Sequence, residues 1–411
     1  MQNKNVRLIF RVKNGVSPTE VLPAMPQGEG EEAIQVSRLY DIGNEVASFR
    51  GVSPMAESLG SDEEVFESEI YATKSEPEQK LFRTYVAEGS PETAESLLES
   101  LEADENVEYV QMDEMNDLYV NPNDPRFPEL WGISKIECPQ AWDTSQGKDI
   151  VVAVIDTGVD YNHPDIKDRM WQDAKGNFGK DLSDGDDDPL DYHGHGSHCA
   201  GTVAATLNNA VGVVGVAPKA KIMAVKIFPN ARDSVCSAAI KYAADNGAKI
   251  LSNSWGPTGR RASNRAVEDA IDYAVAKGCI VIFAAGNEDD DVKFYSPANY
   301  ANVISVAATD SNDARAGFSN FGDLITIAAP GVNILSLKLN TDQYTSKNGT
   351  SMACPHVAGL VALLLKLNGS LTLNQIKQIL QTKGDTIQTD KPISSRRINA
   401  IKSVESLNGS A

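Results

Sequence analysis

Apolar and polar residues alternate through Val6-Arg7-Leu8-Ile9-Phe10-Arg11-Val12, the period of two that predicts a half-buried strand. Leu81 to Val86 predicts a second strand. A helix is predicted from Ser90-Pro91, where serine suits the N-cap and proline the first helical position. Its Leu97, Leu98 and Leu101 recur at helical spacing, and Val107-Glu108-Tyr109-Val110 reads as a closing strand. These elements predict a small α+β module. Gly28 to Glu32 and Gly60 to Glu69 read as acidic surface loops within it.

The pattern changes after Asn121-Pro122-Asn123-Asp124-Pro125, a run of turn formers. It predicts a boundary that separates a domain over 1–120 from one over 121–411. Beyond it, near-continuous apolar runs predict strands over Ile150–Ile155, Lys221–Ile227, Ile250–Asn253, Ile280–Ala285 and Val303–Ala307. Helical stretches lie between them, among them Ser234–Asn246 and Ala262–Lys277. Strands apolar on both sides, separated by helices, imply an α/β fold: a doubly wound, mostly parallel sheet with helices on both faces. In such sheets reactive groups gather at the carboxyl ends of the strands. No internal repeat is visible.

Composition narrows the picture. With 41% apolar and 23% charged residues, the 411-residue chain is globular, and 57 acidic against 37 basic residues give a net charge of −20. Nucleic acid is thereby excluded as a partner, because phosphate binding needs a basic surface. The acidic balance suits calcium, a hard cation that takes oxygen ligands, although most of these carboxylates simply face solvent. No segment reads as long and apolar enough to span a bilayer, and no membrane association is expected. The start, MQNKNVRLIFRVKNG, carries no apolar signal core. Taken as written it points to the cytoplasm, with secretion the alternative if a signal precedes it. Cys138, Cys199, Cys236, Cys279 and Cys354 are odd in number and form no CxxC pair, which favours free thiols over a disulfide framework.

Four short strings carry candidate chemistry. Asp156 follows Val151-Val152-Ala153-Val154-Ile155 and precedes Thr157-Gly158, at the end of a buried strand; a turn-forming aspartate is the plainer reading. His193-Gly194-His195-Gly196-Ser197-His198-Cys199 leads into a helix of small residues. Three histidines suggest a metal site, yet the alternating glycines suit close backbone approach better than fixed ligands. Asn348-Gly349-Thr350-Ser351-Met352-Ala353-Cys354-Pro355-His356 reads as a loop entering a buried helix, with Ser351 among the free N–H groups of its first turn. Ala284-Ala285-Gly286-Asn287-Glu288 ends another apolar strand.

Together the strings resemble the subtilisin-like serine peptidase family, over roughly residues 121 to 385, in the order aspartate, histidine, serine. The resemblance implies a triad of Asp156, His195 and Ser351, with Asn287 in the oxyanion hole, and leaves His193 and His198 outside the chemistry. It implies a serine endopeptidase acting on proteins and peptides, made as a zymogen and working as a monomer. Residues 1–120 resemble the family's ferredoxin-like propeptide, an intramolecular inhibitor, and self-cleavage is expected between about Met115 and Asn123. Substrate is expected to lie beside Ser252-Asn253-Ser254-Trp255-Gly256-Pro257 as an added strand. This wording is also similar to that of the proprotein convertases, and Glu288 with Asp289, Asp290 and Asp291 would then favour a basic side chain before the scissile bond. A solvated acidic loop is the other reading.

For calcium, the resemblance implies side-chain oxygens from Asp124, Asp165 and Asn209 and carbonyls from Thr206, Val211 and Val213. A second candidate is Asp181, Asp184, Asp186 and Asp188, carboxylates close enough to repel unless a cation or solvent separates them. Cys199 and Cys354 lie near these strings and read most plainly as small buried hydrophobes; the resemblance also sets a free cysteine beneath the active site, so mercurials are expected to inhibit. Three rivals remain: a silent binding homologue, which should lack one of the four catalytic residues; a peptide ligase on the same scaffold; and an esterase of another fold, which predicts a Gly-x-Ser-x-Gly elbow absent here.

Overall fold

The computed structural model describes residues 6–22, 35–38, 71–113, 122–339 and 343–408. The chain divides into two compact units, Met1–Leu118 and Tyr119–Ala411.

In the first unit, β1 (Val6–Val12), β2 (Gln35–Arg38), β3 (Thr84–Gly89) and β4 (Val107–Met112) form an antiparallel sheet in the order β2-β3-β1-β4. This is the ferredoxin-like order. Ser90 Oγ accepts from Thr93 N at 3.3 Å and starts the helix Pro91–Ala103. That helix buries Leu97 and Leu101 with Leu8, Phe10, Val12 and Tyr85. The strand predicted from Leu81 is corrected: Glu76–Phe82 is helical and β3 begins at Thr84. Ser75 and Glu78 form a capping box around Pro77, and this start signal outweighs the short alternation that follows. The two acidic loops lie outside the described residues.

In the second unit nine strands take the order β14-β15-β11-β10-β9-β8-β5-β7-β6. They are β5 (Val151–Asp156), β6 (Gly179–Asp181), β7 (Lys221–Lys226), β8 (Ile250–Asn253), β9 (Ile280–Ala284), β10 (Ile304–Thr309), β11 (Ile327–Pro330), β14 (Asp385–Thr386) and β15 (Arg396–Arg397). All pairs are parallel except β14 with β15. A separate antiparallel hairpin joins β12 (Ile334–Lys338) to β13 (Gln343–Lys347).

Alternate strand residues serve opposite faces. Val152, Val154, Ile222 and Ile282 pack with the helices His195–Ala204 and Thr350–Leu367. Ala153, Ile155, Met223 and Phe283 pack with Asp233–Asp245 and Arg265–Ala276. The latter helix was predicted from Ala262. It starts later because Glu268 accepts from Asn264 N (2.7 Å) and Ser263 Oγ (3.0 Å), holding those residues out of the first turn. The expectation that no segment could span a membrane is also corrected. Thr350–Leu367 passes by length and composition, but 89% of it is buried, as befits the central helix of a two-layer core.

From β5 the chain moves to β7 on one side, then returns to β8 on the other. This reversal opens a crevice at the carboxyl end of β5, where open α/β sheets bind ligands. Asp156 is the last residue of that strand.

Candidate active site

Asp156 is buried; the register sets it beside Lys226 of β7, and on the other side β8 ends at Asn253, the partner of Ile155. Its Oδ1 accepts from Thr157 N at 2.8 Å and from His195 Nδ1 at 2.7 Å. A proton held on Nδ1 leaves Nε2 with its lone pair free. The carboxylate draws the imidazole pKa above 6.5; burial and the Lys347 charge oppose that, and Asp191 adds to it.

His195 opens its helix, and Asp191 organises the turn before it. One Asp191 oxygen accepts from His193 N and Gly194 N at 2.8 and 2.9 Å, the other from Ser197 N and Ser197 Oγ at 3.0 and 2.7 Å. Sequence reasoning passed over Asp191; an aspartate four positions before the histidine, at a helix start, was the available signal. Gly196 is needed for close approach, since a Cβ there would lie 2.1 Å from Gly158 O.

Ser351 stands in the first turn of Thr350–Leu367. Pro355 lies four residues on and has no N–H to give the Ser351 carbonyl, so that oxygen must find other partners. It accepts instead from Ser254 Oγ at 3.0 Å and Cys199 Sγ at 3.4 Å. Cys199 lies one turn beyond His195, so the two helices meet at this carbonyl. Ser351 Oγ donates to Ser254 O at 3.1 Å and makes no hydrogen bond with His195 among the described residues.

Asn287 follows β9. Its Oδ1 accepts from Thr350 N at 2.8 Å and Thr350 Oγ1 at 3.0 Å, which leaves the side-chain N–H₂ as the free end. Gly286, at φ +104°, makes the turn, where a Cβ would meet the Asn320 amide at 2.3 Å.

Two cavities flank these groups. One, of about 600 Å³, is lined by His195, Tyr192, Lys226, Phe228, Trp255 and neighbours. The other, of about 180 Å³, is lined by Ser351, Asn287, Glu288, Ala284, Tyr295 and neighbours. Ser254, Trp255 and Gly256 wall both, so this segment runs between them. Ser252 does not belong with the substrate residues: it is buried within β8, its hydroxyl 3.7 Å from Cys354 Sγ. Helices cover both faces of β8, so all four of its residues are buried, and the segment that walls the cavities begins only at Ser254. In the acidic run, Asp289 pairs with Arg315 and Lys391, Asp290 with Arg260, and Asp291 with Lys293. Of the four, Glu288 alone lines the smaller cavity, where Asn320 Nδ2 donates to it at 2.9 Å.

All five cysteines are free and buried. Burial holds the Cys199 thiol well above its ordinary pKa and raises Cys354 to about 11, so neither is a thiolate nucleophile. His198 is pushed down to about 3 by burial, and its Nε2 donates to Ile334 O and Thr345 O at 2.9 and 3.1 Å, tying the helix to the β12–β13 hairpin. His193 is exposed, its ring centroid 6.4 Å from that of His195.

The two acidic clusters part company. Asp124 and Asp165 are both buried and neither has a cationic partner among the described residues. The 206–213 loop closes over them through neutral donors. Asp124 accepts from Asn208 N (2.9 Å) and Asn209 N (3.4 Å), and Asp165 from Asn209 Nδ2 (2.8 Å), Val213 N (2.8 Å) and Tyr344 OH (3.1 Å). Burial raises both, Asp165 to about 6, and the Asp124 charge adds to that of Asp165. Two charges desolvated side by side fit a cation.

Asp181, Asp184, Asp186 and Asp188, expected as a second site, do not converge. Asp181 forms a buried ion pair with Lys226 at 2.6 Å, and Asp184 reaches the same ammonium at 3.6 Å. Asp186 accepts from Asp188 N, and Asp188 from Tyr161 OH at 2.7 Å. Lys226 occupies the place of a cation.

The Subtilase family model matches residues 147–398. Thermitase of Thermoactinomyces vulgaris is 41% identical over 289 residues, covering 69% of this chain and 99% of that protein. Subtilisin BL of Lederbergia lenta is 38% identical over 274 residues, 66% of this chain and 96% of that one. Among solved structures, a protease of Pseudoalteromonas arctica superposes with a TM-score of 0.64 at 31% identity, covering 70% of this chain and 99% of its own. The chain belongs to the subtilase family and is a subtilisin-like serine endopeptidase.

Proposed function

We propose that Asp156, His195 and Ser351 are the catalytic triad of this peptidase and that Asn287 is its oxyanion donor. The observation that carries the reading is the 2.7 Å bond from His195 Nδ1 to a buried carboxylate, which fixes the tautomer with Nε2 as base. The Ser351 hydroxyl turns about its Cα–Cβ bond from Ser254 O to Nε2. As Oγ bonds to the scissile carbonyl carbon, its proton passes to Nε2, and the carbonyl electrons collect on oxygen. Asn287 Nδ2 and Ser351 N–H donate to that oxyanion. Collapse breaks the C–N bond, Nε2 protonates the leaving amine, and water repeats the sequence to release the acid.

The acyl half of the substrate pairs along Ser254–Gly256 and sends side chains into the two cavities. Among the described residues Glu288 is the one carboxylate lining the smaller cavity, where it would favour lysine or arginine before the scissile bond. The first unit serves as folding aid and inhibitor, a reading supported by its separate core and by the family resemblance. Asp124, Asp165 and Asn209, with carbonyls of Thr206, Val211 and Val213, hold calcium; when bound, the ion neutralises the two carboxylates and ties the segment at Asp124 to the 206–213 loop. Every group belongs to one chain, so a monomer suffices.

Ser351→Ala is the test. Purified variant should stay full length and cleave peptide substrates only at background. Self-processing at the wild-type rate would assign the cutting to another protease.

A further inference from the structure

Lys347 ends β13, four residues before Ser351, and lines neither cavity. Its Nζ donates to Gly194 O at 3.2 Å, the residue just before His195. The hairpin that carries it is bound to the His195 helix by His198. The ammonium therefore sits against the backbone that leads into His195, is absent from the lining of both cavities, and its field reaches the imidazole.

The chain has 57 acidic residues and 37 basic ones, so carboxylates are in ample supply. Other cations around the site have taken them: Lys226 has Asp181 and Asp184, Arg260 has Asp290, and Arg315 has Asp289 and Asp390. Lys347 is half-buried and has no carboxylate partner among the described residues; a backbone carbonyl is its one acceptor there.

We propose that Lys347 selects an acidic side chain at the first residue of the leaving half of the substrate. The inference rests on the triad reading above. With the acyl half lying along Ser254–Gly256, the peptide crosses Ser351 and its amine half departs past the β12–β13 hairpin. The lysine stem is flexible enough to turn its ammonium from Gly194 O to a carboxylate arriving there. Part of that attraction is screened by solvent, so the preference is modest and shrinks with salt.

The experiment uses the purified protein and three quenched peptides, identical except for Glu, Gln or Lys just after the scissile bond. The Glu peptide should be cleaved about three- to tenfold more efficiently than the Gln peptide in kcat/KM at low salt, with Lys poorest. In Lys347→Met the Glu/Gln ratio should fall to about one, and in Lys347→Glu it should invert. Cleavage of all three peptides at equal rates by the wild-type protein, or a ratio unchanged in Lys347→Met, overturns the inference and leaves the triad reading standing. Failure to cleave any of them with Ser351 intact strikes the triad reading instead.

Discussion

The pocket around Asp165 and the pocket around Asp181 differ in one respect that decides their roles. Both bury an aspartate and surround it with further carboxylates and backbone donors. Around Asp181 the chain supplies its own cation, Lys226, from the adjacent strand. Around Asp165 the described residues supply only neutral donors, and the carboxylate is held up to about 6. A run of acidic residues in a sequence therefore says little about metal until the nearest lysine or arginine in space is known. Asp156 is a third case: its partner is His195, a group able to take and return a proton.

The largest expected effect tests that third case. Asp156→Asn removes the charge that orients and stabilises imidazolium, and should lower kcat by about four orders of magnitude. Because the carboxylate raises the His195 pKa above 6.5, and a general base must be neutral, wild-type activity should rise with pH along a limb set above 6.5. In the variant this limb should move to lower pH. A change of only a few-fold, with a fallen melting temperature, would make Asp156 structural in the manner of Asp181.

Next in size is Lys226→Met. It leaves Asp181 buried without its partner and should cost about 3–5 kcal/mol in denaturant unfolding. Joining it with Asp181→Asn should restore most of the loss. A stable single variant would show that water reaches this pair and that the contrast between the pockets has been overdrawn.

Chelation comes third. Saturating calcium at about a hundred times its Kd contributes about 2.7 kcal/mol, so a chelator should lower the melting temperature by about 5–10 °C at pH 8. Asp165→Asn should abolish that dependence. Between the ordinary 3.8 and about 6, the folded metal-free protein holds the Asp165 proton that the unfolded chain releases. Metal-free stability therefore falls as pH rises through that window, while calcium loses affinity as pH drops below about 6. The chelator effect should shrink accordingly at pH 5, and an effect equal at both pH values would point to a different site.

The strands of the large sheet were legible because they are apolar on both sides and end at glycine or at polar residues. The candidate groups at their ends were legible for the same reason: Asp156 and Asn287 close apolar runs, and Ser351 precedes a helix too apolar for a surface. What could not be read depends on pairs distant in sequence. Lys226 finds Asp181 across a strand pairing, 45 positions away. Cys199 and Ser254 reach the carbonyl that Pro355 frees, and only the crossing of two helices and a strand end brings them there. Asp289 to Asp291 read as an open acidic surface until Arg260, Lys293, Arg315 and Lys391 are set beside them. The helix Glu76–Phe82 was missed because alternation over a few residues says less than a capping box.

Active-site labelling reaches the nucleophile most directly. Treated with a sulfonyl fluoride, the purified protein should gain one adduct, mapped by mass to Ser351, with activity lost in step and no labelling in His195→Ala. An adduct on another residue, or full activity with Ser351 modified, would contradict the account.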